Sequence, residues 1–165
     1  MDDYHLQSLL ASILYQEGKR SEAAQLARTL TDRYPSEGEA QYILAVLAAD
    51  ADRLDEAARL VRSAASRRLT PQTRANAVSI AADLGDIELA ESLARQAVQD
   101  APRDPRLRIL VATIAERRDK AEAARLWRVA ERHRRRISSR SFRNDIIHYR
   151  SLVAKLISNQ PPTAK

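Results

Sequence analysis

The 165 residues contain no cysteine, which excludes disulfides, thiolate nucleophiles and Cys-ligated zinc. Only three glycines occur, and the six prolines stand as isolated punctuation rather than in tracts. Glycine-rich phosphate loops and the glycine-framed serine of a nucleophile elbow are therefore missing. The three histidines, His5, His133 and His148, are too scattered for a metal-ligand spacing. The longest apolar run, Tyr42 to Ala49, is far too short to span a bilayer. The acidic start Met1-Asp2-Asp3 lacks the basic-then-apolar order of a signal peptide. These absences point to a cytoplasmic, non-catalytic protein without cofactor or metal, either whole or a soluble fragment of a longer one.

What is abundant is Ala, Leu, Arg, Glu and Gln, all strong helix formers. The charge is unevenly placed. Residues 1–102 hold 11 basic and 16 acidic side chains, net −5, and residues 103–165 hold 17 and 6, net +11. Arg outnumbers Lys 24 to 4, and both a basic surface and a GC-rich genome produce that bias.

Self-similarity organises the chain. Glu22-Ala23-Ala24-Gln25-Leu26-Ala27-Arg28 recurs as Glu56-Ala57-Ala58-Arg59-Leu60-Val61-Arg62, Leu89-Ala90-Glu91-Ser92-Leu93-Ala94-Arg95 and Glu122-Ala123-Ala124-Arg125-Leu126-Trp127-Arg128. The alanines at 23, 57, 90 and 123 are 34, 33 and 33 residues apart, a period that signals a repeat architecture. An apolar stretch at helical spacing precedes each copy, beginning with Leu6, Leu9, Leu10, Ile13 and Leu14. Short breaks separate the two halves; Gly18 and Gly85 suit the left-handed end of a helix, and Asp52 and Arg118 stand at the equivalent turns. Pro35, Pro71, Pro102 and Pro105 separate the units. Each unit thus reads as two antiparallel helices whose small alanines allow close approach, with the following Leu packed between them. A lone pair cannot bury its apolar face, so neighbours stack.

With these positions in view, the sequence resembles the tetratricopeptide repeat family. Ala11, Gly18, Ala23 and Pro35 match its pattern in the first unit, and Gly85, Ala90, Ala97 and Pro102 in the third. The resemblance implies an all-α, right-handed superhelical solenoid of four helix-turn-helix repeats over residues 1–136, at about 4–37, 38–70, 71–103 and 104–136. From Phe142, apolar residues at Ile146, Tyr149, Val153 and Leu156 describe an amphipathic helix, expected to cap the array over residues 137–158 and to leave 159–165 as a flexible tail.

The resemblance also implies a function, that of a scaffold or adaptor holding another protein as a peptide or helix in a concave groove, within a larger assembly. The first helices of the units line that groove. Carried over position by position, the groove comprises Ser8, Ser12, Tyr15, Tyr42, Val46, Asp50, Ser79, Asp83, Arg108 and Glu116. Tyr15 and Tyr42 would act as anchors, and Asp50, Asp83 and Glu116 as a ladder of negative charge favouring an apolar partner with basic residues. Ser8, Ser12, Tyr42, Val46, Ala75 and Ser79 stand where a carboxylate clamp for chaperone tails needs Lys and Asn, so that specificity is not expected. Two other readings compete. Arg132, Arg134, Arg135, Arg136, Arg140 and Arg143 form a basic patch suited to nucleic acid or an anionic surface, but without an interleaved aromatic platform or reader motif. The charge asymmetry would also suit salt-sensitive head-to-tail homo-oligomers.

Overall fold

The computed structural model describes residues 3–116, 119–133 and 139–159. Its helices are α1 (Asp3–Gln16), α2 (Arg20–Arg33), α3 (Glu39–Asp50), α4 (Leu54–Ala65), α5 (Pro71–Asp83), α6 (Ile87–Asp100), α7 (Pro105–Ala115), α8 (Lys120–His133) and α9 (Ser139–Ser158). No β-strand occurs among the described residues, so the chain is an all-α helical repeat. It forms two compact units, Met1–Thr73 and Arg74–Lys165.

Local chemistry ends α1, α3 and α5 in the same way. Gly18, Asp52 and Gly85 take φ of 79°, 58° and 67°. In that left-handed conformation, the next amide reaches back five residues: Lys19 N–H to Leu14 O, Arg53 N–H to Ala48 O and Asp86 N–H to Ala81 O, each 2.9 Å. These are Schellman closures that satisfy carbonyls otherwise orphaned at a helix end. Asp tolerates the conformation better than most residues with a Cβ, which is how Asp52 serves where glycine stands in two other units. Arg118 lies outside the described residues. Beyond the turns, Asp86 accepts from Leu89 N–H at 2.9 Å, and Asp119 from Ala121 and Glu122 N–H at 2.8 and 3.0 Å. These carboxylates cap α6 and α8. Pro105 opens α7 at the first helical position, with Asp104 as its N-cap.

The repeated alanines are interior as their size requires. Ala23, Ala57 and Ala90 are fully buried and Ala123 nearly so, and a larger side chain there would force the paired helices apart. The repeat's leucine differs from expectation. Leu93 is enclosed, but Leu26, Leu60 and Leu126 are only half-buried. In the first copy the interior stripe instead runs Ala23, Ala27, Leu30, and in the second Ala57, Val61, Ala64.

The first unit's core gathers Tyr4, Ala11, Ala23, Ala27, Leu30, Ala40, Ile43 and Leu47. Here α1 departs from its sequence reading, because Leu6, Leu9, Leu10 and Ile13 are between 42% and 58% exposed. The helix turns Tyr4, Ser8 and Ala11 inward and its leucines outward. In the second unit Ile109 and Ala130 are buried, with Trp127 of α8 and Ile146 and Tyr149 of α9 packed around them.

Candidate functional site

In the first unit, α1 and α3 lie side by side and bring Tyr15, Tyr42, Val46 and Asp50 onto one face. The Tyr15 hydroxyl donates to Asp50 Oδ2 at 2.8 Å, and Arg20 Nη2 donates to the same oxygen at 3.2 Å. Burial, and next the hydrogen bond to Asp50, raises the Tyr15 phenol above its ordinary range. Tyr42 is pushed up to about 12, chiefly by burial, with Tyr15 and Glu39 adding to it. Both rings, like Val46, are half-buried. Both are amphipathic rings that combine apolar surface with a polar hydroxyl. Ser12 is half-buried and bonds back to Ser8 O at 3.1 Å. Ser8 is buried, its hydroxyl on His5 O at 3.1 Å. Ser8 belongs to the helix packing, not to an open surface.

The second unit treats the corresponding face differently, because α9 packs against α7. Glu116 accepts from Trp127 Nε1 at 2.6 Å and pairs with Arg150 of α9 at 3.4 Å. Asp83 pairs with Lys155 of α9. Farther along, the Asn159 amide donates to Ala82 O and Asp83 O, both at 3.3 Å. Asn159, placed by the sequence in a flexible tail, is thus tied to the end of α5; 160–165 lie outside the described residues. At the other end of α9, Asp145 pairs with Arg106 at 3.5 Å. Burial raises the Asp145 carboxyl, against the opposing pull of Arg106 and His148. Tyr149 is pushed up to about 12, again mainly by burial.

The expected ladder of free carboxylates is therefore neutralised within the chain, with Asp50 held by Tyr15 and Arg20, Asp83 by Lys155, and Glu116 by Trp127 and Arg150. Of the other groove positions, Ser79 is exposed and bonds to Asn76 O at 2.6 Å. Arg108 folds back on the preceding loop, its Nε on Pro102 O at 3.0 Å. In the basic patch, Arg132 and Arg143 are exposed. Arg134, Arg135 and Arg136 lie outside the described residues, as does the side chain of Arg140.

One feature of the first unit escaped the sequence. The loop between α2 and α3 pairs with the loop between α4 and α5: Gly38 N–H donates to Arg68 O at 2.8 Å, and Arg68 N–H to Ser36 O at 3.1 Å. The approach needs glycine for space, since a Cβ at 38 would stand 2.7 Å from Ala64 O and 3.0 Å from Arg68 O. Beside the paired loops opens a cavity of about 270 Å³, lined by Tyr4, His5, Tyr34, Glu37, Glu39, Arg68, Leu69 and Thr70. Tyr4 and Tyr34 meet edge-to-face with centroids 5.1 Å apart. The Tyr4 oxygen accepts from Ala40 N–H at 3.2 Å and so caps α3, whose N-cap Gly38 has no side chain to do so. Burial raises the Tyr4 phenol despite that bond.

The family profile of the tetratricopeptide repeat matches residues 8–72. Residues 8–72 are tetratricopeptide repeats. No curated protein matches the sequence. Among solved structures, the chain is similar to YrrB, described as a TPR protein with an unusual peptide-binding site. The TM-score is 0.62 at 13% identity, over 95% of this chain and 86% of that one. It is also similar to MamA, with a TM-score of 0.60 at 15% identity, over 81% and 74%. At such identities the likeness is one of fold, and it extends the helical-repeat class beyond the 8–72 segment. Among the described residues, no helix is long and apolar enough to cross a membrane.

Proposed function

We propose that the chain is a non-catalytic protein-interaction scaffold that holds a partner peptide or helix on the faces formed by the first helices of its repeats. The observation that carries this reading is α9 itself. It rests on α7 through Ile146, Tyr149 and the buried Val153, with Arg150 and Lys155 paired to Glu116 and Asp83. An amphipathic helix with basic residues on its flanks is thus a ligand that such a face accommodates. In the first unit, Tyr15, Tyr42 and Val46 supply a comparable half-exposed surface bordered by Asp50. Aromatic anchors of this kind supply much of the affinity at interfaces, while charge selects among partners. The tetratricopeptide match over 8–72 covers this surface.

The test is quantitative affinity capture from native lysate with the wild-type chain and with Tyr15→Ala/Tyr42→Ala. The reading expects a defined set of proteins to be lost by the double variant while its helical melt persists. An unchanged captured set would refute the assignment of this face.

A further inference from the structure

We infer that the cavity between the paired loops of the first unit is a receptor for a single cationic side chain, the guanidinium or ammonium of an Arg or Lys on a protein partner. The pocket lies at the opposite end of α1 from Tyr15, about 16 Å away at 1.5 Å per helical residue. It stands or falls separately from the tyrosine face.

Three features define the ligand. The first is charge. Glu37, Glu39 and Arg68 line the cavity together, and Arg68 pairs with Glu37 at 2.8 Å. Among the described residues, Glu39 is left as the carboxylate without a compensating cation. The second is hydrogen bonding. Glu39 Oε1 accepts from Thr70 N–H at 2.8 Å, but Oε2 is buried with no hydrogen-bond partner among the described residues. A buried acceptor left unmatched is costly, and an ionised carboxylate can only accept. The missing group is therefore a donor, and a positively charged one restores both charge and bonding. The third is the wall. The half-buried Tyr34 lines the cavity with Tyr4 packed behind it, and the face of an aromatic ring attracts a cation within about 6 Å of its centroid. Tyr34 already shows this chemistry within the chain, with the Arg33 guanidinium 5.4 Å from its ring centroid.

An anionic ligand fits less well. Arg68 is committed to Glu37, and an incoming carboxylate would meet Glu39 as a like charge. The volume of about 270 Å³ admits one long side chain. The mouth is open, since the side chain of Arg68 is 76% exposed and His5 and Thr70 are exposed as well.

The test is a ¹H–¹⁵N titration of the full chain with N-acetyl-arginine amide, with N-acetyl-lysine amide, and with N-acetyl-citrulline amide as the neutral counterpart of arginine. Saturable shifts at the Gly38, Glu39 and Thr70 amides are expected with at least one cation, and the two cationic arms decide between guanidinium and ammonium. Citrulline should bind about tenfold more weakly or not at all, the factor that corresponds to losing one charge-assisted hydrogen bond. Glu39→Gln, which retains the oxygen bonded to Thr70, should weaken the preferred cation by a similar factor, and Tyr34→Leu should weaken it too. The inference is overturned if neither cation saturates, if citrulline matches arginine in a chain that prefers arginine, or if Glu39→Gln binds the preferred cation as tightly as the wild type. The ligand comparison uses the unmutated chain, so it decides even if a variant fails to fold.

Discussion

Adding one methyl group at residue 38 tests whether the two loops of the first unit need their close approach. In Gly38→Ala the new Cβ would lie 2.7 Å from Ala64 O, 2.8 Å from Leu69 Cδ2 and 3.0 Å from Arg68 O. The leucine methyl can rotate away, but the two carbonyls are backbone. Relief requires the loops to part, which stretches Gly38 N–H to Arg68 O and Arg68 N–H to Ser36 O. Overpacking of this kind costs about 1–3 kcal/mol. Against it stands the reduced freedom of the unfolded chain, which favours Ala over Gly by about 0.4–1 kcal/mol. The φ of Gly38 is −100°, so Ala meets no backbone strain and the whole penalty is steric. A net loss of about 1–2 kcal/mol should lower the melting temperature by roughly 2–8 °C for a chain of this size, read by circular dichroism, with faster hydrogen exchange at Gly38 and Arg68. Gly18 is the control: its φ is 79° and a Cβ would meet nothing within 4 Å. Gly18→Ala should cost about 1–2 kcal/mol through conformation alone, and Gly18→Asn should recover part of it, whereas Gly38→Asn should be worse than Gly38→Ala. A Gly38→Ala chain as stable as the wild type would refute the steric argument.

Leu30→Ala, in the closed core of the first unit, should cost about 2–5 kcal/mol. Leu9→Ser on the exposed stripe should stay within about 0.5 kcal/mol; comparable urea midpoints would contradict the burial assigned to α1. Val153→Asp places an unpaired carboxylate where Val153 is 3% exposed and should release α9 from α7. Trp127, the single tryptophan, donates to Glu116 and has Arg150 6.0 Å from its ring centroid. Its emission should therefore shift to the red while most helicity remains, and an unmoved spectrum would argue against the docked α9. Phenol absorbance should show Tyr42 and Tyr149 titrating at about 12. Because the folded state holds those protons after the unfolded state has released them near pH 10, stability should fall as pH rises from about 10 to 12. Tyr42→Phe should flatten that fall, and an unchanged slope would count against the burial of the ring.

Some of this was legible in the residues themselves. The period of 34, 33 and 33 and the turns at Gly18, Asp52 and Gly85 follow from local rules, since spacing on a helix and the left-handed cap involve neighbours within one or two turns. The same periodicity set Tyr15 and Tyr42 on the first helices of adjacent repeats, α1 and α3. Tertiary structure decided the rest, because it depends on which distant segment supplies a partner. The leucines of α1 satisfy a helical pattern as well as any core residues, yet the fold turns Tyr4, Ser8 and Ala11 inward and leaves those leucines exposed. The cap on α3 comes from Tyr4, 36 residues earlier, and the bonds that tie Asn159 to α5 span 77 and 76 residues. Asp50, Asp83 and Glu116 read as a free acidic ladder until the fold brings Tyr15, Lys155 and Arg150 to them. A charge pattern names the groups along a chain, and only packing determines which of them are already paired.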